Sequence, residues 1–271
     1  MAAIAEHRTQ AGGVEVFWRR AEPDAGAAPV LYVHGVPTNS DDWLPFLELT
    51  GGLAPDLPGF GRSAKPADFD YSIAGYDRFL EAFLDSAGID RFSLVAHDWG
   101  AVGLATVQRL RERVDRLVVI NTVPFVAGYE WHRVARIWRR PVLGELAMGF
   151  TTRFAFKRSL REAFAGSPPP DELVESIWRH FDHGTQRAIL KLYRASGPEV
   201  LEQAGRDLGS LDRPALVLWG DRDPYLPARF GEAQAQALGP TATLEVLEGA
   251  GHWAWLDRPE VVSRVAGFLR G

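Results

Sequence analysis

Arg91–Phe92–Ser93–Leu94–Val95–Ala96–His97–Asp98–Trp99–Gly100–Ala101–Val102–Gly103 decides how the rest of the chain is read. An apolar run stops at His97–Asp98–Trp99 and helix-forming sequence resumes at Val102, so the stretch reads as strand, sharp turn and helix. Ala96 and Gly100 flank the aspartate. The spacing small–x–Asp–x–small has the form of a nucleophile elbow, where small neighbours let a strained turn lift one side chain clear of the sheet. Here that side chain is a carboxylate. Taken alone, Asp98 reads equally as a helix N-cap accepting the free amide hydrogens of the first turn.

Upstream, Gly13–Arg19 alternates in the manner of a half-buried strand, and Pro29–Val33 is continuously apolar, as a central strand should be. The second run leads straight into His34–Gly35–Val36–Pro37, which places His34 and unblocked backbone amides at the carboxyl edge of the sheet, where open parallel sheets bind ligands. Asp41–Asp42–Trp43 reads as a helix start with acids suiting the helix dipole. The turn-rich Ala54–Ser63 reads as a short strand and ordered loop with Asp56 structural. Tyr76–Leu84 has helical spacing and stops near Gly88.

Downstream, Leu117–Ile120 is a further buried strand closing at Asn121. Between Pro124 and Leu208 β-branched runs disappear, and Arg-rich amphipathic segments carry large aromatics, among them Trp131, Trp138, Phe150, Phe154, Phe156, Phe164, Trp178 and Phe181. This reads as an all-helical insertion, its aromatics forming its own core or its contact with the sheet. Strands return at Pro214–Trp219, followed by Gly220–Asp223, and at Ala242–Leu247, followed by Glu248–Trp253. The expected fold class is therefore α/β, a mostly parallel sheet with helices on both faces. Residues 1–123 and 209–271 form the sheet domain, and residues 124–208 form a helical cap inserted after the strand ending near Asn121.

The 271 residues, 46% of them hydrophobic, suffice for one such domain with an insertion. A net charge of −5 offers no basic surface for nucleic acid. The absence of cysteine excludes disulfides, thiolate nucleophiles and cysteine-bound metals. Histidines do not cluster at ligand spacing, so no metal site is expected. Neither a basic–apolar leader nor a bilayer-length apolar run is present, and the expectation is a cytoplasmic protein with no membrane partner, monomeric or homodimeric.

Asp98, Asp223 and His252 fall at strand ends in the chain order nucleophile, acid, histidine. Together with His34–Gly35–Val36–Pro37, Asp56–Leu57–Pro58–Gly59–Phe60–Gly61–Arg62–Ser63, His97–Asp98–Trp99–Gly100, Gly220–Asp221–Arg222–Asp223 and Gly249–Ala250–Gly251–His252, they resemble the blocks shared by α/β-hydrolase epoxide hydrolases and haloalkane dehalogenases. No Gly-x-Ser-x-Gly occurs in the chain, which argues against a serine esterase. The resemblance implies Asp98 as nucleophile, His252 as general base, and Asp223, rather than its neighbour Asp221, as the acid orienting it. It places the oxyanion hole at the backbone amides of Val36 and Trp99 and calls for no cofactor.

An epoxide leaves as an alkoxide that needs a proton, whereas a halide needs only weak donors. The resemblance carries the role of cap proton donor to Tyr193; Tyr129 is the other cap tyrosine, though it lies close to the strand end. For halide the donors are Trp99 and a cap tryptophan such as Trp138, and Val36 stands where many dehalogenases place Asn. Epoxide hydrolysis is the preferred expectation, haloalkane dehalogenation the alternative, and a binding protein of hydrolase fold the third. The aromatic cap suits a small, uncharged, hydrophobic substrate, with water as co-substrate.

Overall fold

Alternate residues of a strand face opposite ways, and buried strands in this chain are apolar at both alternations, so the sheet demands a helical layer on each face. In the computed structural model, which describes residues 3–23, 26–164 and 167–271, the strands are β1 (Ala5–Ala11), β2 (Val14–Ala21), β3 (Val30–Val33), β4 (Gly52–Pro55), β5 (Phe92–Asp98), β6 (Val114–Thr122), β7 (Ala215–Gly220) and β8 (Ala242–Leu247). They form one eight-stranded sheet in the order β1-β2-β4-β3-β5-β6-β7-β8. β2 runs antiparallel to both of its neighbours, and the other pairings are parallel.

The helices are α1 (Leu44–Thr50), α2 (Ile73–Ser86), α3 (Val102–Arg109), α4 (Arg133–Trp138), α5 (Leu143–Gly149), α6 (Arg153–Leu160), α7 (Asp171–Arg179), α8 (His183–Ala195), α9 (Pro198–Ala204), α10 (Arg229–Leu238), α11 (Ala254–Asp257) and α12 (Glu260–Arg270). Leu94, Ala96, Val217 and Trp219 pack with α2, α3 and α10 on one face. Val95, Leu216 and Leu218 pack with α1, α11 and α12 on the other. Helices α4 to α9 fill the chain between β6 and β7 and contribute to both clusters. No helix among the described residues is long and apolar enough to cross a membrane.

Three details depart from expectation. β1 is absent from the sequence reading because its seven residues, Ala-Glu-His-Arg-Thr-Gln-Ala, are polar; it is an edge strand held by its ladder to β2, and charge on an edge discourages unwanted pairing. β2 is buried on both faces rather than one, since the guanidinium groups of Arg8, Arg19 and Arg62 lie 4.9–5.7 Å from the Phe17 ring and cover its outward side. The helix start at Asp41–Asp42 is a 3₁₀ turn, Ser40–Trp43, capped by Asn39. Its acids are not dipole partners: Asp41 bonds Arg19 and Arg62, while Asp42 is buried.

Candidate active site

β5 ends in Asp98 with φ 48° and ψ −119°, a conformation that costs a non-glycine residue energy and is kept where the surroundings hold it. Its carboxylate makes no N-cap bond, which sets the capping role aside. Oδ2 instead accepts from the Val36 amide at 2.8 Å, and the Trp99 amide also faces the carboxylate. Two glycines make this approach possible: a Cβ on Gly35 would lie 2.5 Å from Asp98 Cβ, and one on Gly100 would lie 2.0 Å from the Val33 carbonyl oxygen.

His252 follows β8 and is buried. Its Nδ1–H donates to Asp223 Oδ2 at 2.7 Å, and its Nε2 lies 3.8 Å from Asp98 Oδ1. Asp223 has every lone-pair direction in use: Oδ1 accepts from the amides of Tyr225 and Leu226 at 2.8 and 3.0 Å, and Oδ2 accepts also from Asn121 Nδ2 at 2.7 Å. Asp221 accepts from the Gly249 amide and closes a turn. Burial disfavours the His252 imidazolium, but the Asp223 and Asp98 carboxylates outweigh it and hold the pKa above the ordinary value. Burial also pushes the Asp98 carboxyl up, against His252 and the two amides. The His252 backbone amide donates to the carbonyl of Ala163, between α6 and α7, at 2.8 Å, and its carbonyl accepts from His97 Nε2–H at 2.9 Å.

A cavity of about 320 Å³ opens above Asp98 and His252. Tyr129, Trp131, Trp138, Tyr193 and Tyr225 line it, and α5 and α6 contribute Met148, Phe156 and Ser159. Tyr129 Oη is buried with no hydrogen-bond partner among the described residues. Burial, then the Asp98 charge, raises the pKa of Tyr129 and of Tyr193, so both hydroxyls keep their protons.

Two expected substrate contacts are not there. His34 does not line the cavity: its Nδ1–H donates to the Gly35 carbonyl at 2.7 Å and its Nε2 accepts from the Leu57 amide at 2.9 Å, so both ring nitrogens are spent bracing two loops. The Trp99 ring is also outside the lining, covered by Trp131 stacked at 5.4 Å and by Tyr193 edge-on at 5.2 Å. Its indole N–H faces the Tyr193 hydroxyl without closing a hydrogen bond of ordinary geometry. The insertion's aromatics also divide: Trp131 and Phe164 are buried, but Phe150 and Phe154 are 79% and 80% exposed and belong to no core.

Asn121, Tyr225 and Asp42 were missed from sequence. Asn121 sits at φ 42°, clamping Asp223 with its amide nitrogen and the Gly220 amide with its oxygen. Its one signal was position, at the end of a buried strand beside β5. Tyr225 packs edge-on to His252 at 5.3 Å, and its place two residues after Asp223 was the available clue. Asp42, beside Thr38 and Trp253, has its carboxyl pushed up to about 7 by burial, and nothing in Asp41–Asp42–Trp43 distinguishes the ion-paired acid from the fully buried one.

Residues 28–259 match the family model described as alpha/beta hydrolase fold. A 2-hydroxymuconate semialdehyde hydrolase of Pseudomonas putida is 31% identical over 229 residues, covering 80% of this chain and 76% of its own. Epoxide hydrolase 2 of Caenorhabditis elegans is 24% identical over 265 residues, covering 89% of this chain and 73% of its own. The crystal structure of haloalkane dehalogenase DbeA from Bradyrhizobium elkani superimposes with a TM-score of 0.84 at 26% identity, covering 99% of this chain and 98% of that one.

Proposed function

The chain belongs to the α/β-hydrolase fold family, and from that premise we propose that it opens uncharged epoxides to vicinal diols through an ester on Asp98. Asp98 Oδ2 is engaged by the Val36 amide, which leaves Oδ1 to attack the epoxide carbon. As the carbon–oxygen bond breaks, the electron pair goes to the epoxide oxygen, and a tyrosine hydroxyl gives that oxygen its proton. Water then adds to the Asp98 ester carbonyl while His252 Nε2 takes its proton; the 3.8 Å gap between Nε2 and Oδ1 keeps the imidazole from being tied to the nucleophile. Asp223 holds the Nδ1–H tautomer and balances the imidazolium. Negative charge in this second step develops on Oδ2, already at the Val36 amide, and one such donor is worth about 3 kcal/mol of transition-state stabilisation. Collapse of the intermediate expels the diol oxygen, which takes the imidazolium proton, while the proton left on the carboxyl returns to the tyrosinate; the diol leaves and Asp98 is freed as carboxylate with one water oxygen retained in it.

The observation that carries the epoxide reading is the pair of protonated tyrosines, Tyr193 and Tyr129, lining the cavity under the influence of the Asp98 charge, while the Trp99 N–H that would hold a halide is covered. Dehalogenation is the second reading, favoured by the overall match to DbeA. The test is a screen of styrene-oxide-like epoxides and bromoalkanes, coupled to one turnover in heavy-oxygen water with excess enzyme. Diol formation with heavy oxygen entering Asp98 is expected. Bromide release without diol would select the second reading, and label in product alone would remove the ester from both.

A further inference from the structure

The chain as a whole is acidic at −5, yet between residues 131 and 161 it carries eight basic residues and a single acid, Glu145. Glu145 is engaged by Arg194 at 2.7 Å. Arg140, Arg158 and Arg161 are exposed and have no carboxylate partner among the described residues. The same segment holds the most exposed of the large apolar side chains among the described residues. Phe154 is 80%, Phe150 79%, Val142 68% and Leu146 50% exposed. Leu143, Leu146 and Phe150 recur at helical spacing, so they form one stripe along α5, which Phe154 continues in the first turn of α6. The opposite side of these helices, through Met148, Phe156 and Ser159, lines the cavity above Asp98. The element is thus a wall between the cavity and the outside whose outer surface is an apolar stripe, with Arg140 just before α5 and Arg158 one helical turn after Phe154.

We propose that the outer face of α5 and the first turn of α6 docks on an anionic lipid bilayer. An apolar stripe bordered by cations is the combination that seats a helix in the interface plane, with side chains in the acyl boundary and arginines at the headgroups. A stripe of this kind is also more than the scattered apolar exposure of an ordinary surface. The net charge of the molecule does not oppose it, because acids more than about 8–10 Å from the membrane are screened at physiological salt. Docking there sets the outer side of a cavity-lining element against the bilayer.

Sedimentation of the full chain with vesicles of equal parts phosphatidylglycerol and phosphatidylcholine, against phosphatidylcholine alone, tests this. Binding to the anionic vesicles is expected to be at least about tenfold stronger, since each arginine at such a surface contributes about fivefold. The double variant F150S/F154S should lose at least about tenfold in binding with its melting temperature unchanged, because neither ring lines the cavity or is buried. Equal or absent sedimentation on both vesicles overturns the proposal. So does a wild-type dimer that the double variant converts to monomer without vesicle binding, which would make this face a contact between two copies.

Discussion

Asp98 Oδ2 accepts from the Val36 amide, so in the proposed reaction the donor to a tetrahedral intermediate needs no rearrangement when charge develops. Tyr193→Phe should lower kcat for an epoxide by about a hundredfold while leaving any bromide release unchanged, because the hydroxyl is needed only where the leaving oxygen takes a proton. Asp223→Asn should reduce kcat on the order of 10⁴-fold by favouring the wrong imidazole tautomer, checked by steady-state kinetics alongside circular dichroism to show the fold intact. Asp42 gives a stability prediction. Burial raises its carboxyl from 3.8 to about 7, so the folded state prefers the neutral acid; this preference is fully present below pH 4 and is lost as pH rises through 7. That preference is worth about 4 kcal/mol as a ceiling. Asp42→Asn should therefore raise the melting temperature by several degrees at pH 8 and by little at pH 5. Residues such as Asp98, Asp223 and His252 were legible because each stands at a strand end with turn-formers around it. His34 was misread because sequence places a residue at the sheet edge but does not say whether its ring turns into the cavity or, as here, toward the Leu57 amide.

At the level of elements, the elbow is held by close backbone packing that any side chain would break. Gly100→Ala pushes a Cβ to 2.0 Å from the Val33 carbonyl oxygen, and overpacking of this kind should cost about 3 kcal/mol or prevent folding, as measured by denaturant unfolding. The insertion is anchored in part through α7 and α8: Ser176 Oγ donates to Asp41 Oδ2 at 2.6 Å, Thr185 Oγ1 donates to the Gly59 carbonyl at 2.9 Å, and Lys65 pairs with Asp182 at 2.7 Å. These bonds tie α7 and α8 to loops of the sheet domain. The parallel strands and their helices could be read from sequence because the central strands carry runs of apolar residues on both faces. β1 could not, since an edge strand owes its conformation to a neighbour's backbone and not to its own side chains. The exposure of Phe150 and Phe154 was hidden for a related reason: helical periodicity finds an apolar face without saying whether anything covers it.

Across the whole molecule, the cores do not respect the boundary between sheet and insertion. Met148, Ile189 and Tyr193 share one cluster with Val33, Trp99 and Trp219, and Leu160 and Val174 share the other with Tyr32 and Trp253. Calorimetry should accordingly record a single cooperative transition; a separate, earlier melting step would mean that the inserted helices fold on their own. The backbone bond from His252 to Ala163 carries a consequence for anyone who would redesign substrate range by transplanting a foreign lid between β6 and β7. The transplant would take away the carbonyl on which the histidine loop hangs, and a Cβ at Gly251 would already sit 2.0 Å from that same oxygen. Chimeras that keep the host's own segment around residue 163 should turn over, and those that replace it should bind ligand yet leave the ester on Asp98 unhydrolysed.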